Sequence, residues 1–410
     1  MFNSSEFTVD KRSNLPPITN HSNRKNKRGL IVGVILGTST PVTIVATLAY
    51  LLWRRKRKNG DIVEEQRIAL EMNNEFEIGA NIPRKFSYLE LAQSTSNFAK
   101  TEKLGEGGFG GVYKGFLKDL NTYVAVKRVS NTSNQGIKEY ASEVRIISRL
   151  RHKNLVQLNG WCHEKGELLL VYEFLENGSL DLHLFKRKSL LAWSTRYKIA
   201  HGLASALLYL HEEWEQCVLH RDIKSSNVML DSNFNAKLGD FGLAKLVDHE
   251  NSAETTRVAG TIGYMAPEYV TTGKASKESD VFSFGVVALE IACGRKPIDL
   301  HVEERKTKLV EWVWDLYSTG TLLEAADPIL GSNFAEEEMT CLMIVGLWCA
   351  HPDSKLRPTM KQAIQILNFE ASLPILPSNM PYVTYSAIPH FSLYGGALSS
   401  GSDKSSSKLS

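Results

Sequence analysis

The sequence predicts an α+β globular unit, strand-rich first and helical afterwards, placed behind one N-terminal transmembrane helix. Three observations carry this. Alternating β-branched runs precede residue 190, apolar residues at helical spacing dominate after it, and the 25 residues from Gly29 to Trp53 hold no charge. The chain has 410 residues, 43% hydrophobic and 23% charged, which excludes wholesale disorder. A net charge of +3 removes the electrostatic case for a nucleic-acid partner. Five cysteines in this length form neither a disulfide framework nor a zinc-type spacing. They suit reduced, packed residues in a cytosolic body.

Residues 1–28 are polar and read as a short outer segment, with glycosylation tripeptides at Asn3 and Asn20. A helix over 29–53 would be about 37 Å long, against about 30 Å of hydrocarbon. Pro41 is tolerable there. Gly29, Gly33 and Gly37 make two G-x-x-x-G steps, a face on which a second copy could pack. Four basic residues before the stretch and five after it leave its orientation almost undecided. Residues 54–97 read as a polar juxtamembrane segment, whose basic run at 54–58 could hold anionic lipid.

From about 98 to 370 the chain reads as one globular body. Thr122–Val129 alternates as a strand. Ile137, Tyr140, Val144, Ile147 and Leu150 follow helical spacing. A second strand runs through Leu168–Tyr172. Helices are expected over Arg196–His211 and Asp280–Ala292. An acidic, glycine-containing connection, Glu173–Gly178, joins the two halves. Residues 371–410 form a tail, rich in serine and glycine from about 386.

Gly105, Glu106, Gly107, Gly108, Phe109, Gly110, Gly111 and Val112 fit G-x-G-x-x-G-x-V. Such a glycine pattern is weak evidence by itself. A dinucleotide fold wants a helix to open on it, and here a strand follows; no Gly-Lys-Ser/Thr makes it a P-loop. A hairpin folded over phosphates remains, its missing side chains letting backbone approach an anion. Lys127 lies 17 residues past Gly110, and period-2 alternation puts Ala125 on its face of the strand. An isolated strand lysine faces solvent by default. With the small Ala125 it could instead leave room for a base and reach its phosphates. Glu143, on the expected helix, could hold the ammonium if that helix packs on the strand.

The strongest signal is His220-Arg-Asp222-Ile-Lys224-Ser-Ser-Asn227, with Asp240-Phe-Gly242 beginning 18 residues after Asp222. Phosphoryl transfer needs hard oxygen ligands for metal ions, which Asn227 and Asp240 supply. It needs a carboxylate to orient the attacking hydroxyl and take its proton, which suits Asp222. Lys224 can steady the transferring phosphate.

In this order, with Val124-Ala-Val-Lys127 and Ala266-Pro-Glu268, the motifs resemble the protein-kinase signature set. The resemblance covers 98–370 and implies a bilobal protein-kinase fold, with a β-rich N-lobe and a helical C-lobe. The phrases Tyr209–His220, Gly260–Glu268 and Gly346–Asp353 are similar to those of plant L-type lectin-domain receptor kinases. That family carries an outer lectin domain, one membrane helix and a serine/threonine kinase. Only 28 residues precede the uncharged stretch here, with no lectin domain and no cleavable signal peptide, as in a truncated member or a fragment. Carbohydrate recognition is therefore not carried over.

The resemblance implies that ATP binds under residues 105–112 with Ala125, Lys127 and Glu173, and that Mg²⁺ is held by Asn227 and Asp240. It implies Lys127, Glu143, Asp222, Lys224 and Asn227 as the catalytic set, with Lys224 pointing to serine/threonine specificity. Thr261 should sit near Asp222, and Tyr172 should guard the back of the ATP pocket. Glu268 and Arg357 should pair, and Asp280 should hold the backbone of the catalytic loop. Arg221 would meet a phosphate on the activation segment, at Thr255 or Thr256, with Ser252 a further hydroxyl. Because ATP is cytosolic, the expected topology is single-pass type I in the plasma membrane. The expected partners are ATP, protein hydroxyls, the bilayer, and a second copy or other receptor kinases. A silent membrane scaffold for such receptors is the alternative reading.

Overall fold

Strand pairing in the first half of the body follows from alternating sequence. A computed structural model describes residues 47–53, 83–107, 110–129, 134–248, 253–255, 258–300, 303 and 306–381. The chain divides into two units, Met1–Arg67 and Ile68–Ser410. In the first unit, residues 47–53 are helical; the rest of the expected 29–53 helix lies outside the described residues, as do Asn3, Asn20 and the three spaced glycines. Among the described residues no helix is long and apolar enough to cross a membrane.

The second unit opens on a six-stranded sheet of order β1-β5-β6-β4-β3-β2. Its strands are β1 (Arg84–Lys85), β2 (Lys103–Gly107), β3 (Gly110–Leu117), β4 (Thr122–Val129), β5 (Leu158–Glu164) and β6 (Glu167–Glu173). All pairs are antiparallel except β1 with β5. Helix α1 (Tyr88–Ser94) and helix α2 (Asn134–Ile147) belong to this lobe. Helix α2 starts and stops three residues before the expected 137–150. Tyr140, Glu143, Val144 and Ile147 share its buried face at i, i+3, i+4, i+7, which carries the acidic Glu143 inward.

Two short elements, β7 (Gly178–Ser179) and α3 (Leu180–Leu184), lead into the helical half. Helix α4 (Trp193–Leu208) begins earlier than expected and widens into a π turn over Tyr209–Glu213. Four strands follow: β8 (Cys217–Leu219), β9 (Val228–Leu230), β10 (Ala236–Leu238) and β11 (Lys245–Val247). β12 (Ala253–Thr255) pairs with β13 (Lys274–Ser276), separated by α5 (Pro267–Thr272). The centre of the lobe is α6 (Lys277–Cys293), buried on every side from Ser279 to its end and started by a Ser276/Ser279 capping box. It crosses α8 (Glu336–Cys349) closely: a Cβ on Gly285 would stand 2.6 Å from Gly346 O. Helices α7 (Leu309–Ser318) and α9 (Met360–Leu367) complete the layer.

Two stretches read as lying outside the globular body are packed onto it. Residues 83–97 lie on the sheet, with Phe86 and Leu91 buried. At the other end, Leu376 is buried, and Tyr317 OH and Trp314 Nε1 donate to the carbonyls of Leu376 and Pro377 at 3.3 Å and 3.1 Å. The expected disorder from about 386 falls outside the described residues.

Candidate active site

β4 sends Val124 and Val126 into one apolar layer and Ala125 with Lys127 to the other face. There α2 presents Glu143. Lys127 Nζ lies 2.9 Å from Glu143 Oε2, 3.2 Å from its Oε1 and 2.7 Å from Asp240 Oδ1. One ammonium thus joins strand, helix and the Asp240-Phe-Gly242 turn. Tyr172, on β6, donates its hydroxyl to Glu143 Oε1.

Burial opposes charge on Lys127, but the charges of Glu143 and then Asp240 outweigh it and raise its pKa. Burial also works against the Asp240 carboxylate, yet Lys127 prevails and holds Asp240 below the ordinary carboxylate range. Glu143 goes the other way: burial first, with the Asp240 charge adding, lifts it despite Lys127. The two carboxylates share one cation unequally, and Asp240 keeps the firmer negative charge.

β2 and β3 form the glycine hairpin, with Gly105 opposite Val112, Glu106 opposite Gly111 and Gly107 opposite Gly110. Gly110 has φ of +130°, and a Cβ there would lie 1.9 Å from Arg128 O, so only glycine fits. The Glu106 carboxylate turns outward to Lys103 at 2.6 Å. Gly108 and Phe109 lie outside the described residues. Glu173 ends β6, and its carboxylate accepts from Gln157 N at 2.8 Å and Lys237 Nζ at 3.0 Å. What Glu173 offers a nucleotide is backbone.

Asp222 follows β8 on the helical lobe. Its Oδ1 accepts from Thr261 Oγ1 at 2.7 Å and its Oδ2 from Lys224 Nζ at 2.6 Å. Lys224 Nζ also donates to Thr261 Oγ1 at 2.9 Å, closing a three-membered ring of contacts. Asn227 Nδ2 donates to Asp222 O at 2.8 Å and Oδ2 at 3.2 Å. That leaves the Asn227 amide oxygen as its hard donor. Two non-glycine residues here take left-handed backbone, Arg221 at φ 71° and Asp240 at φ 64°. The buried Asp280 of α6 holds the first in place, accepting from His220 N at 2.8 Å and Arg221 N at 2.9 Å. Burial lowers the His220 pKa, so its ring stays neutral. It stacks edge-on against Phe241 at 4.8 Å.

Among the described residues no three His, Cys, Asp or Glu side chains cluster as a metal cage. Asp240 and Asn227 are the oxygen donors at hand. One carboxylate and one amide fit a magnesium ion that arrives with phosphates and keeps some water.

Glu268 and Arg357 form a bidentate pair at 2.6 Å and 2.8 Å. Arg221 donates to Leu243 O at 2.9 Å and Tyr269 OH at 2.8 Å. Thr255 stands opposite Lys274 in the β12–β13 pair, while Ser252 and Thr256 lie outside the described residues.

One connection went unread in the sequence. Tyr264 OH donates to Glu290 Oε1 at 2.7 Å and lies 3.3 Å from Ser225 Oγ, tying α6 to the Thr261 segment and the Asp222–Asn227 loop. Among the described residues Glu290 Oε2 meets no hydrogen-bond partner. Burial pushes the Glu290 carboxyl up to about 8. The available signal was that Glu290 is the sole charge between Val281 and Cys293.

A family model described as the protein kinase domain matches residues 98–368. The chain is 56% identical to L-type lectin-domain containing receptor kinase IX.1 of Arabidopsis thaliana over 376 residues, 91% of this chain and 58% of that protein. It is 53% identical to receptor kinase IX.2 of the same name and organism over 369 residues, 87% of this chain and 54% of that one. A rice relative, L-type lectin-domain containing receptor kinase SIT2, is 44% identical over 365 residues, 89% of this chain and 53% of that protein. The chain therefore spans a little over half the length of these relatives. The matched region contains every side chain that meets in the cleft: the chain belongs to the protein kinase family and is similar to the plant L-type lectin-domain receptor kinases.

Proposed function

We propose that the chain is a membrane-anchored, receptor-like kinase that moves the γ-phosphoryl group of ATP to serine and threonine hydroxyls of proteins, itself included. The observation that carries this is the ring of Asp222, Lys224 and Thr261 beside Asn227. Three donors, Thr261, Lys224 and Asn227, aim this carboxylate. An incoming hydroxyl replaces Thr261 Oγ1 at Asp222 Oδ1, which orients it and takes its proton as the new P–O bond forms. Lys224 lies 2.6 Å from the same carboxylate and can neutralise the phosphoryl oxygens as the bond to ADP breaks. Lys127 trades Asp240 for the phosphates while Glu143 keeps hold of it. Magnesium bound with ATP would supply charge neutralisation at the phosphates, and Asp240 and Asn227 would hold it.

The uncharged stretch 29–53 and the receptor-kinase relatives support a single-pass, type I plasma-membrane protein with its kinase in the cytosol. Protein hydroxyls and ATP are its substrates, and lipid its surroundings. The glycine steps at Gly29, Gly33 and Gly37 favour a second copy or another receptor kinase as membrane partner. Phosphorylation at Thr255 or Thr256 is the proposed activating event.

The test is transfer of labelled phosphate by the full chain in detergent or nanodiscs with Mg²⁺, beside an Asp222→Asn variant. Phosphoserine and phosphothreonine that the variant loses, by about a thousandfold, are expected. ATP binding without transfer would favour a silent scaffold.

A further inference from the structure

The family match begins at residue 98, but the small lobe begins earlier. Residues 83–97 form a strap on the sheet face opposite Lys127. Arg84 and Lys85 add a parallel edge strand to β5, in register with Gly160 and Trp161. Phe86 N then donates to Trp161 O at 2.9 Å, and Tyr88 N donates to Glu164 Oε2 at 2.9 Å. Phe86, Leu91, Ala92 and Thr95 are 0% to 4% exposed. Phe86 and Leu91 close an apolar layer with Leu117, Val124, Val126, Cys162, Leu169 and Val171.

The sheet is shaped to receive this strap. A Cβ on Gly160 would lie 2.1 Å from Arg84 O and 2.3 Å from the Phe86 ring. One on Gly115 would lie 3.0 Å from Ser94 Oγ. Neither glycine has a positive φ, so close approach of the strap is what requires them. Val124 and Val126 touch the strap layer, while Lys127, next along β4, projects to the cleft. Packed interiors transmit small displacements, so a shift of the strap is a shift of β4.

We propose that Phe86 and Leu91 are positioning residues for ATP, acting through Val124 and Val126 on Lys127. Nucleotide affinity then depends on docking of a segment that lies between the uncharged stretch and the start of the family match. The proposal rests on the ATP-dependent reading above.

In the full chain, Phe86→Ala should raise KM for ATP about fivefold and leave kcat within about twofold. Phe86→Leu should restore most of the loss. Leu342→Ala, a core truncation in the helical lobe, should lower the melting temperature without moving KM. A Phe86→Ala protein that melts earlier with an unchanged KM overturns the proposal, since the strap would then only stabilise. If Phe86→Ala does not fold, Leu91→Val and hydrogen exchange on the unaltered chain decide. Amides of 86–95 and 122–129 should exchange together and slow together with ATP. A strap that exchanges independently of β4 and ignores ATP overturns it. Failure of the kinase reading looks different: the unaltered chain binds no ATP, and this proposal falls with it.

Discussion

Charged groups are buried in both lobes, and the two regions handle them differently. In the cleft, Lys127 is a single ammonium shared by two carboxylates, with side-chain exposures of 13% for the lysine and 23% for Asp240. In the helical lobe, Arg357 is fully buried and donates to Glu268 and to the carbonyls of His351, Glu278 and Pro352. Arg196 does likewise with Asp327, Leu191 O and Ile291 O. A planar guanidinium fork matched donor by donor is a lock, whereas a point charge with competing acceptors can exchange one for another. Exchangeable charge marks where chemistry happens; locked charge marks where the lobe is held together.

Removing the exchangeable cation is the harshest test of that division. Lys127→Met should lower phosphoryl transfer by about 10²–10³-fold per folded molecule, and because it leaves the buried Glu143 without its cation it should lower the melting temperature as well. Kinetics and thermal denaturation of one preparation would show both. Arg357→Met should cost stability without touching turnover. It leaves Glu268 without its cation and should remove about 3–5 kcal/mol of stability, read by denaturant titration, while each folded molecule keeps its turnover. Equal loss of kcat in both variants would erase the distinction.

The locked and exchangeable sets were unequally legible in the sequence. Period-2 alternation put Lys127 and Ala125 on one strand face, and the spacing of Asp222, Lys224, Asn227 and Asp240 singled out the loop after β8 and the turn at Asp240. Those signals are local. The long-range Glu268–Arg357 pair and the Asp280 contacts were expected only through the family resemblance, and long-range contacts without a motif escaped. Residues 83–97 read as polar linker because Phe86, Leu91 and Ala92 are too few to show a period, and only the sheet they cover explains them. The Arg196–Asp327 pair spans 131 residues with no motif at either end. The ordered chain beyond 371 depends on Tyr317 and Trp314, which nothing nearby announces.

Glu290 stands between the two classes: buried like the locked charges, yet bonded to Tyr264 of the Thr261 segment and lacking a cation. Its carboxyl is raised from an ordinary 4.5 to about 8. Between those values the folded chain holds a proton that the unfolded chain has lost. Its contribution is therefore present in full below about 4.5 and lost as pH rises through 8. Glu290→Gln should flatten that dependence, gaining on the natural chain by roughly a few kcal/mol between the two limits. Denaturant midpoints across the range would test it, and parallel curves would show that Glu290 is ionised when folded.

The mildest change sharpens the comparison most. Tyr172 donates to Glu143, and this bond works to lower the Glu143 pKa against burial. Tyr172→Phe keeps the ring and removes only the donor. Glu143 retains Lys127, so the fold should lose only about 1 kcal/mol. The Glu143 carboxylate should become easier to protonate and release Lys127 at a higher pH than in the natural chain. ATP affinity should therefore fall first on the acid side, with the neutral-pH value almost unchanged. A uniform loss at every pH would mean that the hydroxyl positions the ring or the nucleotide directly, and that Lys127 is held as firmly as the arginines of the other lobe.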